Sequence, residues 1–524
     1  MRDSASIFTQ ALSFVCLLVA CSPDLNVVCG DGLVCEANEQ CAAFLGPPSC
    51  HPSCDVSKDC GDSAPVCDRY GDFCRACFAS DDDECQKRDP RKPVCANGRC
   101  AACRPPVPDK SRQADECLRL ADTPNNSVCD AKTLSCRPCG RHSECRSGIC
   151  AIDDNEPTPK GQCVPQDQIA VIDSFGCNHD MDVFCSMKKA IEAEPTRRYF
   201  LARSGWSQSF TAPGSNKSLY VVGPLADVLA YQTPMPTVQI GQPKTGVVPI
   251  GGPGVMVRKG TVVLDGLYVA NLGTGLLCQG PDTRLVVRRS LFTNNATAIY
   301  VGEGCTARVS DSWFGRGSHG SAMVDEPRNG KVFVVDGGRL ELINSVVAGN
   351  GTFRAGGGAI NVLNVPPSGP RSFVMNSTFY AQETQLDLSR AAYISDMHCK
   401  VSVRDRFLFV NSLIHYGKAF DRARLREALF QPACQVELSH SATNDDRVTD
   451  GVLLPEESFP LVNGPDRDLH ISPTDESAAP LRKGGVSRLE YKGEVFVAPE
   501  FDFDGKPRPK DAISIGAFQA DASP

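Results

Sequence analysis

A repeat between residues 260 and 420 constrains the fold of this 524-residue chain more than any other feature. Short stretches rich in β-branched and aliphatic residues recur there, each bounded by Gly or Asn, and this pattern predicts strands. Each stretch can be aligned on one small residue, and successive anchors are 24, 22, 33, 32 and 35 residues apart. The anchors are Gly266, Ser290, Ser312, Ser345, Ser377 and Ser412. Repetition at such intervals is typical of a solenoid, in which each repeat forms one turn.

Two columns beside the anchor carry large, mostly apolar side chains. Three positions before it stand Val263, Val287, Val309, Leu342, Val374 and Phe409. Two positions after it stand Tyr268, Phe292, Phe314, Val347, Phe379 and Ile414. Because the columns are an odd number of residues apart, both can face a core only if the chain bends near the anchor. Five positions after the anchor, Asn271, Asn295 and Asn350 alternate with Gly and Gln. Asn and Gly tolerate the left-handed conformation of a tight corner, so these positions are predicted corners of a stacked coil.

Several motifs make the resemblance to a known family specific. Asn-Ser pairs precede an apolar position at Asn344, Asn376 and Asn411, and residues 356–360 read GGGAI. Residues 468–474 read DLHISPT, and residues 501–509 read FDFDGKPRP before ISIGAF at 513–518. These motifs resemble the turns and closing segment of pectin-lyase-like proteins, which implies a mainly β fold, a right-handed parallel β-helix over residues 167–520.

In that closing motif the family resemblance covers Asp502, Asp504, Gly505 and Gly516, whereas Gln519 stands where the family usually has Glu. Near the other end, residues 185–191 resemble the short helix that caps such coils. Met187, Ala190 and Ile191 have helical spacing and are expected to cover the first turn.

Twenty cysteines lie between Cys29 and Cys163, and only 18 of the 137 residues from Cys29 onward are large and apolar. Such a segment has too little core to fold without covalent help, so residues 29–166 are predicted to be loop-rich, disulfide-stapled repeats. The cysteines recur in similar order from Cys54, Cys77 and Cys103, each time with Val before the third cysteine. This pattern resembles the cysteine-rich repeats of myxobacterial surface proteins; the connectivity stays open.

Three Cys-x-x-Cys pairs in this region permit a second interpretation, a zinc site. They are Cys74/Cys77, Cys100/Cys103 and Cys136/Cys139. No histidines stand at matching positions, and the disulfide interpretation is favoured. Beyond this region, three further pairs are expected: Cys177 with Cys185, Cys278 with Cys305, and Cys399 with Cys434. The last two pairs are about one repeat apart, and neighbouring turns spaced about 4.8 Å apart suit a disulfide.

The first 20 residues are predicted to be a lipoprotein signal peptide. Residues 7–20 are largely apolar but too short to span a bilayer, and the sequence Leu18-Val19-Ala20-Cys21 resembles a bacterial lipobox. Cys21 would then carry the lipid, residues 21–28 would be a tether, and Ser22 favours the outer membrane by resemblance to enteric lipoproteins. The alternative is an ordinary secretory signal with Cys21 in a disulfide. Either way, this cysteine content predicts an exported protein.

The remaining sequence features exclude several function classes. A net charge of -8 and an isoelectric point near 5.6 argue against a nucleic-acid partner. The pectate-lyase R-x-P-x-x-R pattern and the carboxylate set of polygalacturonases do not occur, and residues 317–320 (GSHG) resemble the latter only distantly. His440, beside Ser439 and Ser441, lacks a visible acid partner. The charges Asp265, Asp311, Arg288 and Arg289 precede the anchors and are expected to be solvated outward positions; an outer positive patch is the alternative.

The sequence therefore predicts no catalytic residue, metal or cofactor. The favoured hypothesis is a non-enzymatic surface lipoprotein, held to the membrane by its lipid, whose β-helix binds a carbohydrate or cell-surface polymer. The first alternative is a lyase or glycoside hydrolase acting on uronate polymers, and the second is a structural spacer. A groove with clustered Asp, Glu and Arg on the middle turns would favour the enzyme, whereas scattered charges would favour the binding protein.

Overall fold

The structure is a computed structural model in which the chain forms two compact units, Met1–Val164 and Pro165–Pro524. It describes residues 27–29, 33–36, 38–42, 47–68, 70–104, 117, 127–154, 156–173, 183–207, 209–214, 218–227, 238–241, 252–293, 295–315, 331–348, 359–365, 368–380, 397–403, 405–415, 434, 436–443, 451–454, 461–463 and 468–520.

The first unit consists of five consecutive modules, each containing four cysteines. In every module the first cysteine bonds to the third and the second bonds to the fourth. The bonds are 29–41 and 35–50, 54–67 and 60–74, 77–95 and 85–100, 103–129 and 117–136, and 139–150 and 145–163. Each Cys-x-x-Cys pair therefore joins the last cysteine of one module to the first of the next, and its two sulfurs belong to different disulfides.

The third and fourth cysteines of a module face each other across paired antiparallel strands, as Cys67 faces Cys74 and Cys95 faces Cys100. The strands are Val27–Val28, Val34–Cys35, Glu39–Ala42, Ser49–Pro52, Val66–Asp68, Phe73–Arg75, Val94–Ala96, Arg99–Ala101, Val128–Cys129 and Cys136–Arg137. One helical turn or short helix lies within several modules: Ser57–Asp59, Ala79–Asp81 with Asp82–Arg88, and His142–Glu144. Buried cysteines form the small cores, so the disulfides replace the apolar side chains that this unit lacks.

The second unit is a parallel β-helix with three walls, visited in the order A, B, C in each turn. Wall A consists of Ile169–Asp173, Val183–Phe184, Tyr199–Ser207, Leu219–Val222, Gly260–Asp265, Thr283–Arg288, Cys305–Ser310, Arg339–Ile343, Ser372–Met375, Phe407–Val410 and Glu437–Ser439. Wall B begins with the end of Tyr199–Ser207 and continues through Val238–Gly241, Tyr268–Ala270, Leu291–Thr293, Trp313–Gly315, Val346–Ala348, Thr378–Tyr380, Leu413–His415, Ala442–Thr443 and Val452–Leu453. Wall C consists of Phe210–Thr211, Pro253–Val257, Thr274–Cys278, Thr297–Gly302, Lys331–Asp336, Ile360–Asn364 and Met397–Cys399.

Apolar side chains stack inside all three walls, which confirms the predicted mainly β coil. The wall A stack consists of Ala170, Phe200, Val221, Leu264, Val287, Val309, Leu342, Val374, Phe409 and Leu438. The wall B stack includes Ile240, Val269, Phe292, Phe314, Val347, Phe379 and Ile414. Five of the six residues predicted for each column are correct.

The remaining assignment in each column, Val263 in one and Tyr268 in the other, is wrong by one residue. Leu264, not Val263, pairs with Val287, and Val269, not Tyr268, pairs with Phe292. Val263 pairs with Val286, outside the inner stack. The shift arises because Gly266 does not stand in the serine column; Leu267 does.

The serines form a ladder of hydrogen bonds along the coil. The Ser345 hydroxyl donates to the carbonyl of Ile343 at 2.8 Å and accepts the amide of Ser312, one turn earlier, at 3.3 Å. Ser290, Ser312, Ser377, Ser412 and Ser441 continue the same pattern, and the Leu267 amide donates to the Ser290 hydroxyl. All of these serines are fully buried. The serine hydroxyl thus forms hydrogen bonds with a backbone amide and a backbone carbonyl at the corner, where strand pairing does not supply partners.

The residue directly before each ladder position adopts the left-handed conformation. These corner residues are Gly266, Arg289, Asp311, Asn344, Asn376, Asn411 and His440, with φ between 47° and 67°. The bend therefore lies between the two apolar columns, where it is needed for both columns to face the core. Of the corners predicted five positions after the anchor, Asn271 is left-handed with a φ of 62°. Asn295 is buried and binds backbone groups of Leu272 and Val269 through its amide, while Asn350 lies outside the described residues.

A helix at Met187–Ala193 packs on the first turns, with Ser186 as its N-cap and with Met187 and Ala190 buried. The chain ends in a segment that folds back over the coil. It comprises the antiparallel strands Leu461–Asn463 and Asp468–Ile471, the helical turns Glu476–Ala478 and Ala479–Lys483, and the hairpin Arg488–Tyr491 with Glu494–Val497. Among the described residues, no helix combines the length and apolarity needed to cross a bilayer.

Candidate functional site

The C-terminal segment covers the outer faces of two walls. Phe496 of the hairpin packs against Phe373 of wall A, with their ring centroids 5.2 Å apart, and it belongs to a cluster with Leu408 and Met375. Phe503 packs near Trp313 of wall B, with centroids 6.2 Å apart. At these contacts the outward side chains of walls A and B are therefore structural.

The corner asparagines hold the closing segment in place. The Asn411 side-chain amide donates to the carbonyl of Val486 at 2.7 Å and accepts the backbone N–H of the same residue at 2.9 Å. Asn376 donates to Ser514, and the Asn344 amide oxygen accepts from Arg508 at 2.9 Å. The Asn-Ser pairs noted in the sequence thus serve two purposes: the Asn turns the corner and binds the closing segment, and the Ser continues the ladder.

The predicted residues of the closing motif organise a tight loop. Asp502 accepts the backbone amides of Asp504, Lys506 and Gln519 at 2.7–2.9 Å. Asp504 itself pairs with His470. Gly505 has a φ of 77° and Gly516 a φ of 104°, conformations that favour glycine, and at Gly516 the neighbouring Thr378 also leaves no room for a side chain. Gln519 accepts the Ser514 amide and donates to Ala512.

Of the four charges before the anchors, Asp265 is buried, so the expectation of a solvated position is wrong for that residue, while Arg288, Arg289 and Asp311 are half-buried. Asp265 is 1% exposed and forms ion pairs with both Arg288 and Arg289. Asp311 accepts the Asn344 amide at 2.6 Å. Burial raises the pKa of Asp311 against that hydrogen bond. Both arginines considered for a positive patch are therefore paired with the buried Asp265.

A cleft of about 1490 Å³ lies along the corner between walls C and A. Loops of successive turns contribute to it: residues 279–281, 302–304 and 337–338, and then Asn364, Val365, Ser368 and Pro370. Its polar side chains are Arg258, Gln279, Tyr300, Glu303, Thr306, Asp336, Arg339, Asn364 and Ser368. The cleft therefore runs across several turns, which repeat about every 4.8 Å.

Three polar side chains on consecutive turns form a hydrogen-bonded row in this cleft. The Tyr300 hydroxyl donates to one oxygen of Asp336, and the Asn364 amide donates to the other. Burial and the Asp336 carboxylate raise the pKa of Tyr300 to about 12. Gly302 faces the Tyr300 ring, because a Cβ added at that glycine would lie 3.2 Å from a ring carbon. The row is thus fixed in place before any ligand arrives.

Two disulfides mark the corner in which the cleft lies. Cys278 bonds to Cys305, which lines the cleft, and Cys399 bonds to Cys434. Cys185 is disulfide-bonded, while Cys177 and Cys21 lie outside the described residues. In the first unit, three sulfurs approach within 4.8 Å in each module, but every one of them is in a disulfide and is not a thiolate available to a metal.

Sequence reasoning did not identify the cleft residues. Tyr300, Asp336 and Asn364 are separated by 36 and 28 residues and belong to no column. The residues considered as isolated catalytic candidates have other roles: His440 is a left-handed corner, and Ser441 continues the serine ladder.

No protein-family model and no curated protein matches the sequence. The solved structures that match parts of the chain include three proteins of low identity. Pectin methylesterase from Aspergillus niger is 12% identical, with a TM-score of 0.33 over 55% of this chain and 89% of that chain. Pectate lyase Pel9A is 13% identical, with a TM-score of 0.30 over 67% and 96%. PfbA, a surface adhesin of Streptococcus pneumoniae, is 10% identical, with a TM-score of 0.19 over 49% and 75%. At this level of similarity, function has to be argued from the chain's own residues.

Proposed function

We propose that the β-helix is a polysaccharide-binding module of an exported protein, held at the bacterial surface by a lipid on Cys21. The observation that carries this proposal is the cleft between walls C and A. Its polar row, Tyr300, Asp336 and Asn364, extends along the coil axis, so a chain of sugars lying in the cleft would meet similar groups turn after turn. The stapled modules would separate this unit from the membrane.

Two properties of the cleft suit a glycan. Carboxylates accept hydrogen bonds from hydroxyls, and side-chain amides both accept from hydroxyls and donate to them. The partly exposed Tyr300 ring offers an apolar face to a pyranose. The cleft is also preorganised, since Asp336 is already fixed by two donors. A fixed site loses less side-chain entropy on binding than a mobile one does.

One observation favours an enzyme as the second candidate. Glu303, Asp336 and Arg339 line the same cleft, and this is the clustering of Asp, Glu and Arg on the middle turns that an enzyme would require. A glycoside hydrolase uses two carboxylates, one as an acid and one as a base or nucleophile. Asp336, however, is held in one orientation by a donor from each neighbouring turn, which suits a binding role.

One experiment separates the two candidates. The purified chain with its disulfides formed is passed over immobilised glycans and incubated with uronate and neutral polysaccharides. Retention without new reducing ends or ultraviolet-absorbing unsaturated product is expected, and Asp336→Asn should weaken retention. Product that accumulates with wild type but not with Asp336→Asn or Glu303→Gln would establish an enzyme. No retention and no product on any polymer would overturn the proposal.

A further inference from the structure

The charges that the cleft offers to a ligand are mainly negative. Glu303 is exposed at the turn after wall C and forms no ion pair within the part of the chain that the structure describes. It lies against the next turn, because a Cβ added at Gly337 would be 3.3 Å from the Glu303 Cβ. Asp336 directly precedes that glycine, so the two carboxylates stand on neighbouring turns. Each oxygen of Asp336 accepts one hydrogen bond and keeps a further acceptor position.

The cations of the cleft are less available. The Arg339 guanidinium pairs with Glu341 at 3.0 Å, donates to the carbonyl of Arg371 at 3.0 Å, and lies 6.0 Å from the Phe373 ring centroid. These contacts hold its charge on the outer face of wall A. Arg258 is exposed at one end of the cleft and has no acidic partner among the described residues. One available cation therefore stands against two carboxylates.

We infer that the cleft selects a neutral, hydroxyl-rich glycan over a uronate polymer. This inference rests on the proposed function and names its ligand class. Hydroxyl groups donate to carboxylates in charge-assisted hydrogen bonds, so Glu303 and Asp336 favour a polyol. A polyuronate that spans several turns must carry its own carboxylates past both of these groups, which is repulsive. The net charge of -8 on the whole chain adds long-range repulsion of an anionic polymer.

The test compares cellohexaose and mannohexaose with hexagalacturonate, using calorimetry on the purified chain at low and high salt. At least one neutral hexasaccharide is expected to bind, with little dependence on salt, while hexagalacturonate binds at least about tenfold more weakly, a difference of about 1.4 kcal/mol. Stronger binding of hexagalacturonate, weakened by salt, would overturn the inference but leave the proposed polysaccharide binding intact. Binding of neither class in calorimetry or on immobilised polymers would overturn both.

The variant Glu303→Gln with Asp336→Asn gives a result of opposite sign for the two ligand classes. It should weaken the neutral oligosaccharide about tenfold and strengthen hexagalacturonate, because the repulsive charges are removed. Glu192→Gln on the capping helix is the matched control, since it removes one exposed carboxylate far along the chain from the cleft. Equal weakening of both ligands in the double variant, with folding intact by circular dichroism, would contradict the charge argument.

Discussion

Cys278 and Cys399 occupy the same column of wall C, separated by three turns in which Val301, Val335 and Val362 take that place. Their partners, Cys305 and Cys434, each lie four residues before an inward residue of wall A, Val309 and Leu438. The two disulfides thus clamp the same corner at two levels, and the cleft lies along that corner.

Replacing the first clamp should loosen the cleft as well as the fold. In Cys278→Val with Cys305→Gly, each cysteine takes a residue found in its own column. Closing a loop with a sequence separation of 27 contributes about 3.5 kcal/mol in the chain-entropy model, so the free energy of unfolding should fall by about that amount. Urea unfolding measures this, and hydrogen exchange should accelerate around Tyr300.

A disulfide in the other unit provides the control. Cys60→Ala with Cys74→Ala removes a bond in the second module. It should leave exchange around Tyr300 unchanged. If both variants accelerated exchange there equally, the clamp would not be specific to the cleft.

The serine ladder predicts a large effect from one buried hydroxyl. Ser345→Ala removes the acceptor of the Ser312 amide and a donor to the Ile343 carbonyl, in a site without solvent exposure. Leaving a buried amide without a partner costs about 1–3 kcal/mol, and urea unfolding of the β-helix should show that loss. Thr261→Ala, at a partly exposed position of wall A, should change stability by less than about 0.5 kcal/mol. A Ser345→Ala chain as stable as wild type would show that the ladder contributes nothing.

The ladder also explains which parts of the fold the sequence could predict. Apolar residues stacked at every turn leave a periodic signal, and the columns from Val287 to Phe409 are visible in it. The repeat at Gly266 was predicted one residue out of register, because its small residue is the left-handed corner residue. In the later repeats the small residue is the serine that follows that corner. Gly266 supplies the left-handed corner that Arg289 and Asn344 supply elsewhere, and Leu267 stands in the serine position.

The cleft could not be predicted for a different reason. Its polar residues point outward, where no buried side chain recurs at a fixed position in each repeat. The unequal lengths of the loops also hide which polar residues become neighbours. Tyr300 reaches Asp336 only because residues 303–330 intervene between the paired strands of wall C. The buried charges were also missed, since a sequence does not show that the closing segment covers Asp311 and Asn344.

Two glycines of the closing motif should respond differently to a methyl group. Both have positive φ, but a Cβ at Gly516 would lie 2.8 Å from the Thr378 hydroxyl, whereas nothing lies within 4 Å of one at Gly505. Gly505→Ala should therefore show only backbone strain of about 1 kcal/mol, and Gly516→Ala should lose more, because it also disturbs the amide bond from Ala517 to Thr378. Limited proteolysis of the C-terminal segment measures the difference. Equal protection of both variants would show that contact with Thr378 is unimportant.

The module unit should lose stability in acid through a repeated ion pair. Arg75 contacts Asp81 at 2.7 Å, and Arg137 contacts Glu144 at 2.6 Å, in equivalent places after the fourth cysteine. Burial alone would raise the pKa of each carboxyl, but hydrogen bonds from the arginine and from backbone amides outweigh it and lower the pKa.

A carboxyl whose pKa is lowered by folding stabilises the fold above its unfolded pKa of about 4, and this contribution disappears as pH falls through the lowered value. Arg75→Gln with Arg137→Gln should therefore lower the calorimetric unfolding midpoint of this unit by about 5 °C at neutral pH. The difference from wild type should vanish in strong acid, where both carboxyls are protonated. Lys160→Gln breaks an exposed pair with Asp154 and should have no measurable effect at either pH. A midpoint difference that persisted unchanged in acid would show that the arginines act through packing and not through these carboxylates.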